Sequence, residues 1–226
     1  GESKYPIGES LPADHASASS VGIAEDSGSP IPQSRFRHFR DALTSQEPAA
    51  AVVEELMFPG AVSVVYGPGG CKKTRQQLYL GFCVATGQPF YHFPTRKGPV
   101  VYIDQESGPD EMAELIAGAS RGCQAPDDTP FYYDSMSGFD LRDQTCVEQL
   151  DREFAKIKPV LIIFDALVDL TPGADENAKK DMEPVMASCR DFAIKHHAHV
   201  SVIHHSNKSH VGDDMRAHTC IRDMAR

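Results

Sequence analysis

Ala61-Val62-Ser63-Val64-Val65-Tyr66 runs straight into Gly67-Pro68-Gly69-Gly70-Cys71-Lys72-Lys73-Thr74, and from there into a stretch ending at Thr86-Gly87. The first six residues are rich in valine and read as a strand. From Thr74 to Thr86, Leu78, Leu80, Phe82, Cys83 and Val84 supply apolar surface and Gly87 a stop, so this stretch reads as a helix. A strand, a glycine loop and a helix start in succession form a phosphate cradle, because glycines let backbone N–H groups wrap an anion and the helix dipole favours it. In that register Lys73 reaches the β- and γ-phosphates and Thr74 holds Mg²⁺, with Gly67, Pro68, Gly69, Gly70, Cys71, Lys72 and Arg75 completing the ATP-binding loop. The pattern G-x-x-x-x-G-K-[ST] breaks at Lys72, which stands at its second glycine. At a helix start the backbone of Lys72 is expected to be helical already, with its side chain turned to solvent. Lys73→Ala is then expected to abolish ATP binding, and Lys72→Gly to leave it intact or improve it. The competing reading is an ordinary glycine turn with exposed lysines.

Outward from this loop, strand and helix signals alternate. Strands are expected at Val100–Asp104, Phe131–Tyr133, Val160–Asp165 and His199–Ile203, with helices at about Asp110–Ala119, Cys146–Ile157 and Asp181–His196. Such alternation implies an α/β fold, a mostly parallel sheet with helices on both faces. Apolar strands without polar alternation agree, since they are buried on both sides. Upstream, Phe36, Phe39, Leu43, Val52, Val53 and Leu56 are spaced to cover one face of short helices. Residues 1–34, rich in Ser, Ala, Pro and Gly, read as a disordered tail or linker, and 35–226 as a single domain.

Hydrophobic residues at 41% and charged residues at 24% are ordinary for a globular protein. A formal charge of −10 argues against general adhesion to nucleic acid, so any such contact has to be local. The apolar run Val160–Phe164 is far shorter than the roughly 20 residues of a membrane span. The first residue is Gly, and no signal-peptide order follows, so the chain reads as a fragment or processed piece of a cytoplasmic protein. Its six cysteines form no C-x-x-C pair and fit reduced thiols.

Three further groups carry chemistry. Asp165 ends the most apolar strand and is placed to hold the water shell of Mg²⁺, or else simply begins a turn. Glu106, in Asp104-Gln105-Glu106, is placed to orient an attacking water, or else is a solvated loop carboxylate. His204 and His205 follow the last strand and can sense a γ-phosphate. Plain polar termination of a buried strand competes with that reading, as does a metal site among His196, His197, His199, His204, His205 and His210.

Taken in order, several stretches resemble the RepA-like branch of the RecA superfamily of P-loop ATPases: Phe58-Pro59-Gly60, Tyr66 to Thr74, Ala85-Thr86-Gly87-Gln88-Pro89, Gly98 to Glu106, Phe164-Asp165-Ala166-Leu167 and His204-His205-Ser206-Asn207-Lys208. The resemblance covers roughly Ala49 to Arg226. It implies a RecA-like sheet of order 3-2-4-5-1 and ATP bound between subunits of a hexameric ring. The implied activity is that of a replicative DNA helicase or primase-helicase working on single-stranded DNA; the alternative is a nucleotide-binding regulator or scaffold with little turnover. In such a family Glu106 is the catalytic base, Lys73, Thr74 and Asp165 serve the phosphates and Mg²⁺, and His204 or His205 senses the γ-phosphate. Arg216, Arg222 and Arg226 are candidates to reach a neighbour's ATP. The family continues into further strands beyond Ile221-Arg222-Asp223, so a truncated sheet is expected here.

Overall fold

The computed structural model describes residues 39–40, 50–175 and 178–206, with the backbone alone at 205 and 206. The expected tail, Arg216, Arg222 and Arg226 lie outside them. The chain divides into two units, Gly1–Ser45 and Gln46–Arg226. Within the first, Phe39 and Arg40 are helical.

The second unit holds a five-stranded sheet. Its strands are β1 (Val62–Pro68), β2 (Val100–Asp104), β3 (Phe131–Ser135), β4 (Leu161–Asp165) and β5 (His199–Ser206), and its helices α1 (Lys73–Thr86), α2 (Pro109–Gly122), α3 (Gln144–Ile157) and α4 (Lys179–His196). Every strand pair is parallel and the order is β1-β5-β4-β2-β3, the 3-2-4-5-1 order of a RecA-like domain read from the other edge.

Strand alternation divides the core into two layers. Val101, Ile103, Ile162, Phe164, Val200 and Val202 face a layer with Leu150 and Phe154 of α3 and Met182, Val185 and Phe192 of α4. Val100, Tyr102, Leu161 and Ile163 face the opposite layer, with Leu78 and Phe82 of α1 and Met112 of α2. Each fully buried large side chain contributes about 1.5–3 kcal/mol. On α3, the Asp143 side chain caps the helix by accepting from Thr145 N at 2.8 Å. Phe82 and Phe131 stack at 4.4 Å with planes 4° apart, so close over α1 that a Cβ on Gly81 would stand 2.7 Å from the Phe131 ring.

The segment 50–57 is not helical. Val53 makes isolated antiparallel bridges to Met57 and Thr95, and Glu55 takes a left-handed turn at φ 64°. Adjacent Val52 and Val53 are both buried while Leu56 is exposed, a pattern that a helix face does not give. Elsewhere β1 and β4 start one residue later than expected, at Val62 and Leu161, while β1 runs on to Pro68, α2 to Gly122, β3 to Ser135 and β5 to Ser206, and α4 starts at Lys179.

Candidate functional site

The parallel sheet brings the C-terminal ends of β1, β2, β4 and β5 together, where a doubly wound fold presents its loops to a ligand. β1 ends in the glycine loop. Gly70 has φ 80°, and a Cβ on Gly67 would meet Cys71 Sγ at 3.2 Å, so both glycines let the chain turn tightly into α1. The Lys73 ammonium donates to the carbonyls of Gly67 (2.9 Å) and Pro68 (3.1 Å). That leaves Lys73 buried across the loop, while Cys71, Lys72 and Arg75 are exposed.

Lys72 departs from expectation. It is the N-cap of α1 at φ 69°, ψ 28°, in the left-handed region rather than the helical one. The register therefore demands the glycine-like backbone that the motif's glycine normally supplies, and a side chain there costs roughly 1–2 kcal/mol.

Thr74, in the first turn of α1, faces Asp165 at the end of β4. The Asp165 carboxylate is fully buried, and its Oδ2 accepts from the Tyr102 hydroxyl at 2.6 Å. Burial pushes its pKa up to about 6; the Tyr102 and Thr74 hydroxyls pull the other way, and the negative charges of Glu106 and Asp104 add to the rise. Burial also holds the Tyr102 phenol well above its ordinary pKa, so it remains a donor. Asp165 Oδ1 is buried without a hydrogen-bond partner. An orphaned carboxylate oxygen beside a threonine hydroxyl is a donor set suited to Mg²⁺.

Glu106 follows β2 and is exposed. Its backbone is fixed by Asp104, whose Oδ1 accepts from Glu106 N (3.2 Å) and Ser107 N (3.0 Å) and whose Oδ2 accepts from Ser135 Oγ (2.7 Å). Glu106, Ser107, Glu111 and Leu115 line one cavity of about 270 Å³ with Gly70, Lys72, Lys73, Thr74 and Arg75. The structure thus brings Lys73, Thr74, Glu106 and Asp165 to one strand-tip cluster.

His204 is buried on β5 and stacks on Tyr66 at 5.6 Å; in the β1–β5 register it pairs with Tyr66, and the His205 backbone with Gly67. Other histidines are spent on structure: His196 pairs with Asp151 at 2.9 Å, and His199 bridges Phe58 and Ser63. Among the described residues no three His, Cys, Asp or Glu side chains group to hold a metal ion. The five described cysteines are free. No described helix is long and apolar enough to cross a membrane.

Two residues of the cluster were not assigned from sequence. An Asp two and three residues before the N–H groups it caps is a readable signal for Asp104. Tyr102 gave none, since it sits inside an apolar strand run.

A family model described as an AAA domain matches residues 30–211. The chain belongs to the AAA-domain family. It is accordingly a P-loop ATPase domain with a RecA-like sheet. No curated protein matches the chain. Among solved structures the AAA domain is similar to the RadB recombinase, at 21% identity and a TM-score of 0.49, over 70% of this chain and 67% of that one.

Proposed function

We propose that this AAA domain binds and hydrolyses ATP with Mg²⁺ as the motor of a ring-forming DNA helicase or primase-helicase, acting on single-stranded nucleic acid in replication of a mobile element or genome. The observation that carries the ATPase part is the single cavity joining Lys73 and Thr74 to Glu106. In this reading the loop N–H groups and Lys73 bind the β- and γ-phosphates. Thr74 and Asp165 would hold Mg²⁺, which supplies charge neutralisation on the phosphate oxygens when bound. Glu106 orients the attacking water and takes its proton, and His204 or His205, one strand over from the loop, reports the γ-phosphate. The motor part is supported by the ordered motifs shared with replicative helicases; the ring and the roles of Arg216 and Arg222 belong to it too.

A second reading, a nucleotide-binding regulator with little turnover, is favoured by Lys72 in its strained backbone. ATP binding and turnover, measured with and without single-stranded DNA, separate the readings. Turnover stimulated by DNA is expected. Turnover that DNA leaves unchanged removes the motor assignment, binding without turnover selects the regulator, and ATP bound as tightly by Lys73→Ala as by wild type sinks the site itself.

A further inference from the structure

We propose that Lys72 is a second phosphate-directed cation of the loop, acting from within its own subunit on the terminal phosphate as ATP is cleaved. This deepens the ATPase reading above and rests on it.

The backbone supplies the first observation. Lys72 lies at φ 69°, ψ 28°, where glycine would rest without strain. Lys158 and His197 share that region, but they close α3 and α4, where a left-handed residue serves the final carbonyls, as when Lys158 N donates to Phe154 O at 2.8 Å. Lys72 opens a helix instead and makes no side-chain capping bond. As a backbone element it does nothing that glycine would not do better, and a strained residue that persists at a ligand site points to its side chain.

Position supplies the second. Lys72 lines the cavity that holds Lys73 and Thr74 on one side and Glu106 and Ser107 on the other. It is exposed, and among the described residues it forms no ion pair. Lys73, by contrast, is buried and anchored to loop carbonyls. The two lysines are therefore suited to different tasks, Lys73 to holding the β- and γ-phosphates from within the cradle and Lys72 to reaching the terminal phosphate from its rim.

In the cleavage step the water oxygen bonds to the γ-phosphorus and its proton passes to Glu106. The bond from the γ-phosphorus to the bridging oxygen breaks, and its electron pair stays on ADP. Charge shifts among the terminal oxygens during this step, so an ammonium placed beside them acts more on the transition state than on bound ATP.

The test follows stability and turnover together in the full chain with Mg²⁺ and ATP. Relief of strain in Lys72→Gly should raise Tm by about 2–4 °C. The same variant should lose about tenfold or more in kcat while KM stays within about threefold. Lys72→Met should lose kcat without the gain in Tm, and Lys72→Arg should keep most of the turnover. Wild-type kcat in Lys72→Gly or Lys72→Met overturns the assignment and leaves the ATPase reading standing, whereas absence of turnover in the wild type overturns both.

Discussion

The two ends of the parallel sheet are built on opposite principles. At the N-terminal end, polar groups are consumed by one another: His199 Nδ1–H donates to Phe58 O at 3.0 Å and the Ser63 hydroxyl donates to His199 Nε2 at 2.9 Å. Around them Gly60 N donates to Ala198 O at 2.8 Å, and Gly98 packs so tightly that a Cβ there would stand 2.6 Å from a Val160 methyl. At the C-terminal end, Asp165 Oδ1 and Gln105 Nε2 are buried without partners, and Lys72 occupies a left-handed backbone. Arg96 Nε, in the connection leading into β2, also lacks a partner, so the division is one of degree. One end is satisfied by the fold, and the other holds polar groups in reserve for a ligand.

The strongest break of this contrast is at Glu106. Glu106→Gln should lower turnover by at least about a hundredfold while ATP still binds and stability barely moves; near-normal turnover in a steady-state assay would remove Glu106 from the site. Asp165→Asn should act on stability in the opposite sense to an ordinary core lesion. The Asp165 pKa of about 6 lies above its unfolded value, so its contribution to folding is fully present below about pH 4 and is lost as pH rises through 6. Without divalent cations at pH 7.5 the Asn variant should be more stable by about 2–3 kcal/mol, an advantage that shrinks on acidification. Urea melts at two pH values decide this, and a destabilised variant at pH 7.5 would show that the charge is compensated.

At the other end, Gly98→Ala should cost about 1–3 kcal/mol by overpacking against Val160, with kcat per folded molecule unchanged. A loss of kcat without a loss of stability would blur the two ends into one. The smallest effect concerns His199, whose pKa burial holds below its usual value. Its contribution is therefore present above about pH 6.5 and lost as pH falls through the lower folded value. Replacing it with Gln should flatten that acid limb of the stability curve, and an unchanged limb would assign the loss elsewhere.

Much of the site end was legible because its chemistry is carried by residue type at fixed spacing. The valine run before Gly67, the Lys73-Thr74 pair and the apolar strand ending in Asp165 each announce both element and location. What was hidden depends on torsion or on distant contact. The left-handed state of Lys72 is set by how β1 enters α1, and a residue name does not reveal it. Tyr102 reads as one more apolar strand residue until β2 lies beside β4 and its hydroxyl meets Asp165. At 50–57 the apolar spacing suggested a helix, but docking Val52 and Val53 together into the α1 layer favours a tight bridge-and-turn.

The stack of Phe131 over Gly81 has a consequence for how the sequence can drift. An added methyl at position 81 has no room while Phe131 is present, and a smaller side chain at 131 leaves a void over α1 that only a larger residue at 81 refills. The two sites, fifty residues apart in the chain, are thus bound to change as a pair: either single step crosses a stability valley, and the double step need not.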